Sequence, residues 1–267
     1  MQNQLIDIMR NLDTHPVFQN DYFKFVKENQ MTPELYAMHR ANFFFRTMAT
    51  VMGIAHVCAA AASHHDQDTL ILFSFILNEE CGDGKKSHCH ERLMEDSHNL
   101  YGQLEFDLPG LSVKDLEGRA DGSRDEEAHA LVISETKDYR IKINALLTKN
   151  YPTMLGVAYA LETHASVMLT CFREMFNLNR KHLDHDAFSR QVEIYFNCHL
   201  DSGVEDRHAS DAQQCVLNNC TSQSSLEDIQ YGIDNTLAIQ HAMWNGMYRQ
   251  AKHQQAKQYQ ARHCLNS

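Results

Sequence analysis

Six side chains in this sequence have the types and spacing to hold metal: Glu80 and His90, Glu162, and His199, Glu205 and His208. Three carboxylates and three imidazoles make a donor set hard enough for Fe(II) or Mn(II), with no thiolate bias toward zinc. A two-metal site built from inward-facing Glu and His is a recurring function of helical bundles.

The first pair sits in two adjoining stretches. Asn78-Glu79-Glu80-Cys81-Gly82-Asp83-Gly84 reads as a helix ending in two carboxylates, followed by glycines that free the backbone to turn. Ser87-His88-Cys89-His90-Glu91-Arg92-Leu93 follows. On one unbroken helix Glu80 and His90 would point about 80° apart. The glycine break removes that constraint. The bland reading is a helix cap followed by surface histidines, and His88 is a rival to His90. Cys81 and Cys89 fit no common structural-zinc spacing.

Glu162 lies among Val157, Ala158, Tyr159, Ala160 and Leu161. That setting reads as a buried helix, where a carboxylate is costly unless paired or metal-bound. Glu205 and His208 are three apart and share a helical face, the Glu-x-x-His unit of di-iron bundles. His199 is out of phase with them on a straight helix and needs a break or bulge near Gly203. Asp201 is in phase with Glu205 and rivals His199.

Long helices must position these groups. The 267 residues include only 11 Gly and 4 Pro, which argues for helices over many short strands. Residues 1–12 and 17–28 read as short helices. Thr32-Pro33-Glu34 reads as a helix start, with Thr as cap and Pro in the first turn, opening a helix to about Ser63. Further helices are expected over about 67–80, 87–101, 125–149, 151–176, 186–198 and 204–219. Ser224-Ser225-Leu226-Glu227 resembles a capping box for a last helix to about Lys257, with a frayed Gln-rich end. Residues 105–124, with Gly118 and Gly122, read as a connection holding one short helix. No strand is expected. The chain reads as one all-α domain of seven to eight helices over 1–267, with its core at about 17–250.

Composition excludes other classes. The net charge is −11 with no Lys/Arg run, so nucleic acid is not an expected partner. The longest apolar run, Leu70 to Leu77, is too short to span a bilayer, and no membrane partner is expected. The N-terminus reads as no signal peptide. Eight irregularly spaced cysteines then read as reduced thiols of a cytoplasmic protein.

The element Glu79-Glu80-Cys81-Gly82-Asp83-Gly84 with His90-Glu91-Arg92-Leu93, the mid-helix Glu162, and the Glu205-x-x-His208 end together resemble the heme-oxygenase-like di-metal oxidases. These are also called iron-containing redox enzymes. They share a seven-helix fold with the TenA thiaminases and the PQQ-synthesis oxidase. The resemblance runs from about Val17 to Tyr248 and makes Glu80 and His90 the first ligand pair. Tyr195-Phe196-x-x-His199 suits a further ligand, although the gap to Glu205 is two residues longer than the family pattern.

The resemblance implies two Fe(II) ions, or a manganese–iron pair, with O2 as cosubstrate. It also implies oxidation of an amino-acid-like or fatty-acid carboxylate by N-oxygenation, desaturation, C–C cleavage or decarboxylation. A homodimer is expected from fold relatives. The helix carrying Arg40, Phe44 and Arg46 often borders the cavity in this fold. Arg40 and Phe44 share a face and are candidate substrate contacts, while Arg46 lies elsewhere. Tyr159, three before Glu162, is a further candidate. Alternative readings are a metal-free enzyme of the same fold and a non-catalytic helical interaction protein.

Overall fold

The structure is a computed structural model that describes residues 1–117, 125–201 and 203–264. Among the described residues there is no strand. The helices are α1 (Gln2–Arg10), α2 (Asp21–Glu28), α3 (Pro33–Ser63), α4 (Gln67–Glu80), α5 (His90–Phe106), α6 (Val113–Glu117) and α7 (Glu126–Ala130). They continue with α8 (Ser134–Leu147), α9 (Tyr151–Asn179), α10 (His185–Gln191), α11 (Ile194–Phe196), α12 (Val204–Asn219) and α13 (Gln223–Cys264).

Local chemistry explains several ends. Thr32 accepts from the Leu35 amide and Pro33 opens α3, as the sequence leads one to expect. Asn20 caps α2 by accepting from Phe23 at 3.0 Å, which splits the expected 17–28 helix into a 3-10 turn and α2. At α13 the cap is the Ser222–Ser225 pair, each hydroxyl accepting the other's amide at 2.9–3.0 Å, rather than Ser224 with Glu227. The last helix continues past Lys257 to Cys264.

The expected helix over 125–149 is broken in two. Asn42 on α3 donates to the Leu131 carbonyl at 2.8 Å and accepts from the Ile133 amide at 3.0 Å. A buried side chain thus takes the backbone groups that a continuous helix would pair. The expected connection over 105–124 does contain the short helix α6; Gly118 and Gly122 lie outside the described residues.

Helix α9 runs through the middle, packed against α2, α3, α8, α12 and α13. Its contact with α13 is close because Gly156 and Gly232 meet there. A Cβ on Gly156 would collide with the Ile229 carbonyl, and one on Gly232 with that of Thr153. Phe23, Phe43, Phe172, Phe176 and Trp244 are buried around this axis. Each such ring contributes roughly 1.5–3 kcal/mol by leaving water.

Both α3 and α9 contain 18-residue windows apolar enough to cross a membrane by composition, with mean hydropathy 1.4 and 1.2, which corrects the reading from Leu70–Leu77 alone. In the fold 72% of the α9 window is buried inside the bundle, as for a core helix, and 44% of the α3 window. None of the seven described cysteine side chains is in a disulfide.

Candidate metal centre

Helix α4 delivers Glu79 and Glu80 at its last turn. It stops because Gly82 takes φ +74°, and a Cβ there would collide with the backbone of His88 and Cys89. Asn78 closes the turn by donating to Asp83 at 2.7 Å. The chain doubles back, and His90 begins α5 with its Nδ1 3.1 Å from Glu80 Oε1. The glycine break therefore brings together a pair that one helix would hold apart.

Helices α9 and α12 supply the second group. Glu162 sits mid-helix on α9, and Glu205 and His208 lie one turn apart on α12. The ligand atoms of these three all lie within 4.8 Å of one another. His208 Nδ1 is 3.7 Å from Glu162 Oε2. All three side chains are buried.

His199 joins the two groups. Residues Asn197–Asp201 form a π-turn, the local widening that the phase mismatch requires. His199 Nδ1 donates to the Tyr195 carbonyl at 2.7 Å, so Nε2 carries the free lone pair. That Nε2 lies 3.7 Å from Glu205 Oε1, and the His199 ring centre is 4.2 Å from that of His90. The structure thus gathers all six candidate side chains into one cluster, with Glu162, His199, Glu205 and His208 buried and Glu80 and His90 half-buried at its edge.

The other candidates are not brought in. Asp201 is on the surface, held by two hydrogen bonds from Arg173 at 2.7 and 3.3 Å. His88 is exposed in a 3-10 turn. Arg40 spends Nη1 on Asn99 at 3.0 Å and Nη2 on the Pro109 carbonyl at 2.8 Å, so it anchors the end of α5. Phe44 is fully buried with its edge toward His98, a core position. Tyr159 is buried and makes no hydrogen bond to the six among the described residues.

Three groups at the centre were not singled out in the sequence. Glu79 Oε2 accepts from His208 Nε2 at 2.9 Å, and Glu79 also pairs with Arg207. Adjacent glutamates gave no sign of which would face the site. Tyr195 lies four residues before His199 and lines the cavity beside it; that spacing was its signal. Cys198 comes within ligand range of His90 and His199. Burial, with the charges of Glu80 and Glu205, pushes its thiol up to about 12, so it stays protonated.

Electrostatics sort the acids. Burial, then the charge of Glu80, pushes Glu162 up to about 8, against an opposing pull from Arg46. Burial and the charges of Glu162 and Glu80 raise Glu205 well above the usual carboxylate range. Burial also pushes Glu80 upward, but its contact with His90 and the charges of His90, His199 and His208 hold it below its ordinary value. Burial, then the charge of His90, lowers His199 to about 4, which keeps it neutral.

A cation would relieve this crowding. Glu205 Oε2 and His208 Nδ1 are buried ligand atoms without a hydrogen-bond partner among the described residues, and His90 Nδ1 has only the Glu80 carboxylate beside it. Unpartnered buried polar atoms are rare and call for an explanation. Three acids, three imidazoles and orphaned lone pairs fit a pair of hard or borderline divalent ions. A cavity of about 370 Å³ opens beside Glu80, His90 and His199, walled by Thr47, Met48, Val51, Met52, Met94 and Tyr195.

The architecture is the heme-oxygenase-like fold. A CADD-like protein of unknown function from Nostoc punctiforme superposes with a TM-score of 0.64 at 15% identity, covering 93% of this chain and 96% of that one. A second structure of the Nostoc protein gives 0.68 at 13% identity, covering 94% and 98%. A domain of unknown function with a heme oxygenase-like fold from Shewanella denitrificans gives 0.59 at 15% identity, covering 94% of each chain. These likenesses establish the fold. No family model matches the sequence, and no curated protein matches it.

Proposed function

We propose that this chain is an O2-dependent non-heme di-iron oxidoreductase that oxidises a small carboxylate-bearing molecule. The convergence of Glu80, His90, Glu162, His199, Glu205 and His208 into one largely buried cluster with unpartnered ligand atoms carries this reading. Likeness to a CADD-like protein is consistent with it.

When bound, ferrous ions would supply the electrons and open positions that O2 needs. The chain supplies everything around them. Glu80 and His90 would hold one ion and Glu162, Glu205 and His208 the other, with His199 between. The Tyr195 carbonyl fixes the His199 tautomer, and Glu79 fixes that of His208. Met48, Met52 and Met94 give the cavity adaptable apolar walls that suit an aliphatic body and exclude water. The substrate class is amino-acid-like or fatty acid. A manganese–iron pair satisfies the same ligands.

Protein purified without oxygen and reconstituted with Fe(II) tests this. The expected result is about two irons per chain and a transient visible absorption on rapid mixing with O2, lost in Glu80→Ala and His208→Ala. Folded protein that takes up no iron would sink the reading.

A further inference from the structure

Outside the metal cluster, α3, α8, α9 and α13 bury a second set of polar groups. Arg46 on α3 is 3% exposed. Its Nε has no partner, and the side chain makes no hydrogen bond or ion pair among the described residues. A buried guanidinium without a counter-charge is costly and calls for one. Its carbon lies 5.7 Å from the ring centre of Tyr139 and 5.9 Å from that of Trp244. These contacts engage aromatic rings and supply no oxygen acceptor to the N–H fork.

The neighbours also lack partners. The Tyr139 hydroxyl, the Trp244 indole nitrogen and both amide atoms of Gln240 are buried and unpaired among the described residues. Gln240 and Trp244 are one turn apart and share a face of α13. The His164 ring centre is 6.3 Å from that of Trp244. Arg46 and Trp244 can only donate, and Tyr139 brings a further O–H. Donors thus outnumber acceptors around a guanidinium that makes no ion pair among the described residues.

This set of polar groups adjoins the metal cluster. The Arg46 charge acts on Glu162, Glu205 and Tyr195 on one side and on His164 on the other. An anion is the missing component.

We propose that Arg46, flanked by Tyr139 and Trp244, is a carboxylate-binding subsite separate from the methionine-walled cavity. A planar carboxylate matches the guanidinium fork. Its source is either the substrate's own carboxylate or a small free carboxylate. The fate of a bound carboxylate rests on the di-metal reading above; its binding rests on the unpartnered groups around Arg46 alone.

Trp244 is the single tryptophan of the chain and its ring lies 5.9 Å from the Arg46 guanidinium, so its fluorescence reports on this subsite directly. Metal-free protein is titrated with sodium acetate, sodium octanoate and, as an uncharged control, 1-octanol. The expected result is a saturable Trp244 response to carboxylate, absent with the alcohol. Arg46→Met should weaken it at least tenfold. Replacing an unpaired buried charge by an apolar chain of similar length removes its desolvation cost. Arg46→Lys, which keeps the charge and loses the fork, should weaken it less and carries the test if the Met variant does not fold. Equal response to acetate and octanoate identifies a free anion; response to octanoate alone identifies the substrate's carboxylate. No saturable response, or an unchanged midpoint in folded Arg46 variants, overturns the subsite. Iron stoichiometry on the same preparations separates the two readings. Iron uptake without a carboxylate response removes only the subsite, and a response without iron uptake removes only the metal centre.

Discussion

Glu79 Oε2 accepts a hydrogen bond from His208 Nε2 at 2.9 Å, while Nδ1 of the same ring lies 3.7 Å from Glu162. Burial alone would push Glu79 upward, but its bonds from His208 and Arg207 outweigh that and hold it below its ordinary value. An ionised Glu79 fixes the proton on Nε2 and leaves Nδ1 to face the cluster. Glu79→Ala should therefore lower Fe(II) affinity about 10–100-fold without unfolding the chain. Binding isotherms at limiting iron measure this. Equal affinity in the variant would mean that Glu79 does not orient His208.

The choice between ligands and their rivals is open to direct test. His199→Ala and Glu205→Ala should each reduce iron below about two per chain, whereas Asp201→Ala and His88→Ala should leave it unchanged. Metal analysis after anaerobic reconstitution decides. Iron loss in Asp201→Ala would place that carboxylate in the centre instead of against Arg173.

Metal-free protein should lose stability as pH rises. Glu162 titrates near 8 in the fold, and Glu205 is likewise raised, against 4.5 for an unperturbed glutamate. The folded state then holds protons that the unfolded state has released. That contribution is complete below about pH 4.5 and fades as pH climbs through about 8. Bound metal replaces the protons and should flatten this fall, and apparent metal affinity should rise over the same window. Thermal melts from pH 5 to 8.5, with and without Fe(II), test both. A metal-free melting temperature attributable to this pair that rises with pH would contradict the raised acids.

Asn42→Leu should destabilise the fold by roughly 1–3 kcal/mol, because it strips partners from the Leu131 carbonyl and the Ile133 amide. Urea unfolding gives the value. A change within error would mean that the α7–α8 break persists without Asn42.

Gly232→Ala should cost roughly 1–3 kcal/mol by forcing α13 away from α9, where the added Cβ meets the Thr153 carbonyl. Thermal melts should show it. A neutral substitution would imply that the two helices separate freely.

The sequence by itself determined much of the frame. Helices α3, α4 and α12 lie where caps, breakers and periodicity put them, because those signals act within a turn or two of chain. The residue types of the candidate ligands were also legible, and so was the need for a bulge beside His199. Tertiary structure decided the rest through partners distant in sequence. Asn42 splits a helix from 91 residues away. Arg173 draws Asp201 outward across 28 residues. Glu79 reaches His208 across 129 and so becomes its support, while Glu80 turns to His90. Arg40 and Arg46 look alike on α3, yet one is tied to Asn99 and Pro109 and the other is left without a counter-charge. Local pattern fixes where a helix runs and which face is apolar. Which polar group finds a partner is fixed only when the helices pack, since burial removes the water that would otherwise satisfy every one of them.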